Sequence, residues 1–479
     1  MVFLPLVITC IQGCSNQSDN SSALITYSAP EEEILSGDYS IHVNGKPVDV
    51  YLAKIADLEE PLPWTLQPED VGGPYSFSYF DFSGEVTVSV TSHKKPLDQL
   101  VIRPLSAGIQ PEVHGNTITF RIDKPSKLSI EPTGRIEPLI LFANATETNA
   151  PDKDDENVIY YGPGIHKPER ISLTSDQTLY IAGGAIVKTG ILVKGENIKI
   201  KGRGILCGND WSWRNGPGSM IRMEEARNVS VEGVILRGSW GWTIPIYNSD
   251  SVSITDVKLV CSKNPNDDGS NPCNSQRIYI RDCFIRTDDD CIAMKGIRFG
   301  SKNDNVEDIV VENCLLWADR ARVFLLGHES RAPYMRNIVL RDLDILHFNM
   351  TPFLIEPGEE MSIENVTVEN VTAYADYPAQ GGAQDFDLIR LKPVINQYMK
   401  TKVPGHIRNM EFKNISITGE PSEDRNLIWL GGADPDHLVS DITFENITWF
   451  GEVIDENSPA VNIESHTADI RFISSEKGN

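Results

Sequence analysis

From residue 197 onward the chain keeps returning to one phrase: a polar residue, an apolar-x-apolar triplet, a turn residue and a second apolar pair. It is read in NIKIKGRGIL from Asn197, NVSVEGVIL from Asn228, SVSITDVKLV from Ser251, RIYIRDCFI from Arg277, DIVVENCLL from Asp308, NIVLRDLDIL from Asn337, NVTVENVTAY from Asn365, NMEFKNISITG from Asn409 and DITFENITWF from Asp441. Successive starts lie 31, 23, 26, 31, 29, 28, 44 and 32 residues apart. A unit this short, with period-two apolar residues and Gly/Asn/Asp turns but no helical periodicity, buries its apolar face only by stacking on its neighbours. The pattern therefore predicts an all-β fold, a right-handed parallel β-helix over 156–479 with one coil per repeat. The 44-residue spacing predicts an insertion between Asn365 and Asn409. Asn-x-Ser/Thr triplets inside the repeats are read as strand and turn chemistry rather than as glycan sites.

Upstream, residues 29–155 read as short alternating strands such as YSIHVNG, YSFSYFDF, EVTVSVTS and NTITFRI, separated by turn residues every eight to twelve positions. That spacing predicts an antiparallel β-sandwich. The first 14 residues are apolar and end in Gly13-Cys14, and a polar Ser/Asn/Asp tract follows. They resemble a bacterial lipoprotein signal, with Cys14 as the lipidated residue and 15–28 as a flexible tether. Export to the outer membrane, cell surface or periplasm is the expectation, with a membrane reached only through that lipid. A net charge of -25 argues against a nucleic-acid partner. A monomer is expected. No Cys-x-x-Cys metal spacing occurs, and export would permit a disulfide between Cys261 and Cys273.

Two groups of acids stand out: Asn266-Asp267-Asp268-Gly269 and Thr287-Asp288-Asp289-Asp290-Cys291, with the strand pattern of Arg277 to Ile285 between them. Crowded carboxylates raise one another's pKa and are costly, which makes them candidates for acid and base chemistry. Asp268 and Asp289 are 21 residues apart, close to one coil, so they are expected on adjacent rungs about 4.8 Å apart. With Asp290 beside Asp289, three carboxylates would converge on one face, the arrangement that inverting glycoside hydrolysis uses. Asp289, flanked by acids on both sides, is the one expected to stay protonated. Asp267 and Asp288 are read as supporting or turn residues. Lys295, Arg322, His328 and Glu329 are candidate substrate contacts, and Trp240 and Trp242 are candidate platforms for a sugar ring.

These motifs resemble the β-helix glycoside hydrolases of family 49 (dextranases and isopullulanases) and the related family 28 (polygalacturonases). The residues that carry the resemblance are Asn266-Asp267-Asp268-Gly269, Asp289-Asp290-Cys291, the run TLYIAGGAIVKTG and the segment LLGHESRAPYMRNIVLRDLDILH. The resemblance implies a polysaccharide or oligosaccharide substrate, no cofactor and no metal. It also implies Asp289 as general acid, with Asp268 and Asp290 as the pair that activates water. The Gly-His-Gly and Arg-x-Lys of polygalacturonases are missing, since the matching stretches read Ala321-Arg322-Val323 and Phe353-Leu-Ile-Glu356. A neutral, α-linked substrate is therefore the first expectation, and an anionic galacturonan or sulfated galactan the second. A β-helix lyase using aspartate-bound calcium and a non-catalytic adhesin are the further alternatives.

Overall fold

The computed structural model describes residues 23–54, 73–297, 305–375, 387–419 and 427–474. The expected lipidation site Cys14 and the start of the tether lie outside them. Leu24–Thr26, expected at the end of that tether, instead forms a strand antiparallel to Tyr75–Phe82.

The repeats fold into a parallel β-helix whose coils run through three sheets. The second sheet stacks the apolar residue that follows each repeat start, in the order Ile198, Val229, Val252, Ile278, Ile309, Ile338, Val366, Met410 and Ile442. Every one of the nine repeat starts, from Asn197 to Asp441, has a left-handed φ between 51° and 61°. Five residues further on, Gly202, Gly233, Asp256, Asp282, Asn313, Asp342, Asn370, Asn414 and Asn446 again have positive φ. The two positions are the corners on either side of the second sheet, and Gly, Asn and Asp are the residues that adopt this conformation at least cost. Their side chains bond from coil to coil: Asn365 Nδ2 donates to Asn337 Oδ1 at 3.1 Å, Asn409 to Asn365 at 2.7 Å, and Asn414 to Asn370 at 3.1 Å. Asn in these triplets thus closes corners and links coils. The same corner recurs at Asp176 and Asp469, so the helix begins before the first repeat recognised in the sequence and continues beyond the last.

The N-terminal sandwich has a five-stranded sheet facing a six-stranded one, with Ile41, Val88, Phe120 and Leu141 among its core residues. It departs from a purely antiparallel expectation at one pairing, Tyr75–Phe82 beside Leu139–Ala145, which is parallel. Tyr75–Phe82 is buried along its whole length because both of its faces are covered. Phe80 and Phe82 enter the sandwich core, whereas Tyr75, Phe77 and Tyr79 pack on Ile186, Ile205, Ile235, Val260, Phe284 and Trp317 from the outer face of the third sheet. Buried ion pairs cross this contact: Arg203 Nε to Asp81 at 3.0 Å, and Glu131 to His347 at 3.0 Å. Cys261 and Cys273 are buried thiols and the disulfide that export would permit is not formed.

Candidate active site

Each coil leaves the third sheet by a loop and re-enters the first. In the first sheet Ile244, Ser270, Ile292, Phe324 and Phe353 stack in register. The two acidic groups occupy the loops just before Ser270 and Ile292. The Thr243 N–H donates to the Asp268 carbonyl, the Gly269 N–H to the Asp290 carbonyl, and the Cys291 N–H to the Arg322 carbonyl, at 2.8, 2.9 and 3.0 Å. Trp242, Asp268, Asp290 and Arg322 therefore hold one equivalent position on four successive coils. At the other end of the same strands, Lys295 bridges to Cys273, and Gly327, next to His328, pairs with Glu356. Between these rows lies a cleft of about 350 Å³ lined by Asp268, Asp289, Asp290, Trp242, Lys295 and Arg322, with His328 and Glu329 on its far side.

Asp268 and Asp290 are 1% and 2% exposed, whereas the Asp289 side chain is 13% exposed. Asp268 Oδ2 accepts from Asn271 Nδ2 at 2.7 Å and lies 3.7 Å from Lys295 Nζ. Its Oδ1 is buried and has no hydrogen-bond partner among the described residues. Lys295 also bonds Glu329 at 2.9 Å and sits 4.3 Å from the Trp242 ring centroid. Asp290 Oδ1 accepts the Arg322 N–H at 3.1 Å; the Arg322 Nε is also 3.1 Å away, but as an ion pair without hydrogen-bond alignment. Asp289 Oδ2 accepts from Asn266 Nδ2 at 3.0 Å and lies 3.6 Å from Arg320.

Burial, followed by the charge of Asp289, pushes the Asp268 carboxyl up to about 8 against the pull of Lys295. Burial raises Asp290 too, opposed by Arg322. Burial works against the Lys295 ammonium, but Asp268 and Glu329 outweigh it and raise its pKa. Burial is the first cause of the raised carboxyls at Asp267, Asp268, Asp288 and Asp290 alike. Asp267 faces inward and accepts the N–H groups of Ser262 and Asp288 at 2.6 and 2.7 Å, tying the two acidic loops together. Asp288 pairs with Arg320 at 2.8 Å, and burial pushes its carboxyl up to about 6.

Trp240 does not reach the cleft. It is 2% exposed, donates Nε1–H to the Gly218 carbonyl and packs on Trp211 at 4.9 Å. The strand ends at Arg237, so Gly238 to Trp242 follow no period-two alternation, and residues two apart there need not share a face. Arg214 and Tyr398 line the cleft and went unmarked in the sequence. Tyr398 comes from the insertion beyond Asn365, where nothing in its surroundings resembles a site motif.

Residues 171–314 match the family model "Glycosyl hydrolases family 28". Among curated relatives, a "Probable exopolygalacturonase B" of Aspergillus terreus is 27% identical over 243 residues, covering 47% of this chain and 45% of its own length. A "Probable polygalacturonase" of Vitis vinifera is 26% identical over 157 residues, covering 29% of this chain and 30% of its own. The chain thus spans about a third to a half of the length of these relatives. Among solved structures, Dex49A from Penicillium minioluteum superposes with a TM-score of 0.65 at 15% identity, over 92% of this chain and 96% of its own. Residues 171–314 thus resemble glycoside hydrolase family 28, and the superposition on Dex49A supports the parallel β-helix fold.

Proposed function

We propose that the protein is an inverting glycoside hydrolase acting on a polysaccharide or oligosaccharide, and that Asp268, Asp289 and Asp290 perform the chemistry. The observation that carries this reading is the convergence of three carboxyl groups from adjacent coils on one cleft, two of them buried and one more open. Asp289, the more open of the three, gives its proton to the glycosidic oxygen as the C–O bond breaks. Asp268 and Asp290 hold a water against the opposite face of the sugar and take its proton as the new C–O bond forms. The unpartnered Asp268 Oδ1 is the acceptor offered to that water. Because the Asp289 charge is the leading charge contribution that raises Asp268, a proton on Asp289 and a negative charge on Asp268 favour each other. Lys295 stabilises that charge.

The proposed substrate is neutral and α-linked. Lys295 is matched by Asp268 and Glu329, Arg322 by Asp290, and His328 faces Glu356 at 3.0 Å, which leaves Arg214, bonded to Asn266 Oδ1 at 3.2 Å, as the cleft cation without a carboxylate partner among the described residues to grip a uronate. The family 28 match over 171–314 favours a second reading, an anionic galacturonan or sulfated galactan gripped by Lys295 and Arg322. Product sizing on dextran, pullulan and polygalacturonate separates the two, and preferred cleavage of polygalacturonate overturns the first. Proton NMR of the first product tests the mechanism: inverted anomeric configuration is expected, and retention sinks it. The lipid expected on Cys14 is tested by comparing membrane partition of the parent and Cys14→Ser proteins.

A further inference from the structure

Away from the catalytic cleft, a second and wider recess of about 640 Å³ opens beside the strands that begin at Ser362, His406 and Val439. Glu360 and His406 line it, and His437 stands beside them on the next coil. His406 Nε2 lies 3.4 Å from Glu360 Oε2, and His437 Nε2 lies 3.6 Å from the same oxygen. The ligand atoms of all three groups fall within 4.8 Å of one another. The two imidazole rings stand side by side, 4.8 Å between centroids and 29° between planes.

His437 Nδ1 is 2.8 and 2.9 Å from the two carboxylate oxygens of Asp434, so this nitrogen carries a proton and donates it there. With Nδ1 held by Asp434, Nε2 is turned toward the Glu360 carboxylate, 3.6 Å away. The two separations from Glu360, 3.4 and 3.6 Å, are close to the roughly 3.3 Å between ligands about 2.0–2.1 Å from a tetrahedral zinc, and the set as a whole lies within 4.8 Å. A carboxylate holding the remote nitrogen of a ligating histidine is the usual outer support of such an ion.

We propose that Glu360, His406 and His437 bind a divalent first-row transition ion, Zn²⁺ by ligand type, with Asp434 as the positioning residue of His437. The fourth position faces the recess and is filled by water. The groups belong to three adjacent coils, so the ion clasps the edge of the β-helix. Arg331, whose Nε is 3.3 Å from Glu359, the neighbour of Glu360, also bonds the Tyr398 carbonyl, and the clasp thereby reaches the segment that closes one side of the catalytic cleft. No ligand spacing in the sequence marks this site, because Glu360 and His406 are 46 residues apart across the insertion.

The test uses untagged full-length protein, stripped with EDTA and then equilibrated with zinc. Metal analysis is expected to find one tightly held zinc per chain, and a zinc-dependent rise in Tm that EDTA reverses. The double variant His406→Ala/His437→Ala is expected to lose both the zinc and the Tm response while keeping the fold by circular dichroism. Asp434→Asn is expected to weaken zinc affinity by about 10–100-fold without abolishing it. Absence of bound zinc in the parent overturns the proposal, and so does undiminished zinc binding in the double variant, which would place the metal on the cysteines or elsewhere.

Discussion

The β-helix treats charge in opposite ways on its first and third sheets. Against the sandwich, on the third sheet, each buried charge meets a complement. Arg286 bonds Asp319 at 2.8 Å and lies 4.0 and 3.8 Å from the ring centroids of Tyr75 and Trp317, and Arg203 and Asp81 close another pair. At the cleft, on the first sheet, three carboxyl groups crowd beside Lys295 and Arg322, and one oxygen of Asp268 is left without a hydrogen-bond partner among the described residues. Complementary burial gives a joint that holds one shape, whereas like-charge burial stores a readiness to exchange protons. The two are linked through one loop. Tyr75 donates its hydroxyl to the Cys261 carbonyl at 3.1 Å, and Ser262, one residue on, bonds both Asp319 and Asp267. The docked sandwich thus braces the loop that carries Asp268.

The comparison breaks most visibly if activity and stability fail to separate. Asp289→Asn is expected to lower turnover by about 10²–10⁴-fold, the range of a lost general acid, with Tm almost unchanged. Assays on cleavable polysaccharide beside calorimetry check this, and unaltered turnover would remove Asp289 from the chemistry. On the opposite face, Arg203→Met strands the buried Asp81 carboxylate and is expected to destabilise the protein by about 3–5 kcal/mol, measured by urea unfolding, with turnover retained at temperatures where the variant is folded.

A subtler contrast appears in pH dependence. The Asp268 carboxyl is raised in the folded protein to about 8, against about 3.9 in an unfolded chain. The folded state therefore holds the proton more tightly, and the contribution is full below about pH 4 and lost as pH rises through 8. Asp268→Asn escapes that loss, so its Tm is expected to match the parent near pH 4 and to exceed it by several degrees near pH 8. A gap that narrows with rising pH would refute burial as the cause. The smallest effect belongs to the corners: Asn414→Ala, at φ 51°, is expected to cost about 1–2 kcal/mol and Asn414→Gly less.

Those corners explain how much of the fold could be read in advance. Nine repeats were legible because each pairs a left-handed Asn, Asp, Ser or Arg with an apolar triplet. The coil at Asp176 shares the corner but has Gln177 level with Ile198, where the repeats carry their first apolar residue, and the coil at Asp469 lacks the second apolar pair. The aspartates, Trp242, Lys295, Arg322, His328 and Glu329 could be found because coil stacking turns similar positions in successive repeats into neighbours. Trp240 could not be told from Trp242, since both lie beyond the strand that ends at Arg237, where the period-two pattern no longer assigns faces. Asp267 and Asp288 sit beside Asp268 and Asp289 in sequence, yet their carboxyl groups face a backbone loop and an arginine, a distinction that only side-chain direction makes. Arg214 and Tyr398 enter the cleft from loops, where no period constrains the residue type.

Trp242, Asp268, Asp290 and Arg322 stand at one position on four consecutive rungs, so their order along the cleft is their order along the chain. The reaction centre is indexed, like marks on a ruler about 4.8 Å apart. A substitution at one mark alters one contact and leaves the backbone of the others in place. A duplicated coil between Asp268 and Asp290 would instead leave each acid in its own surroundings while moving the two marks apart, abolishing their cooperation without disturbing the fold.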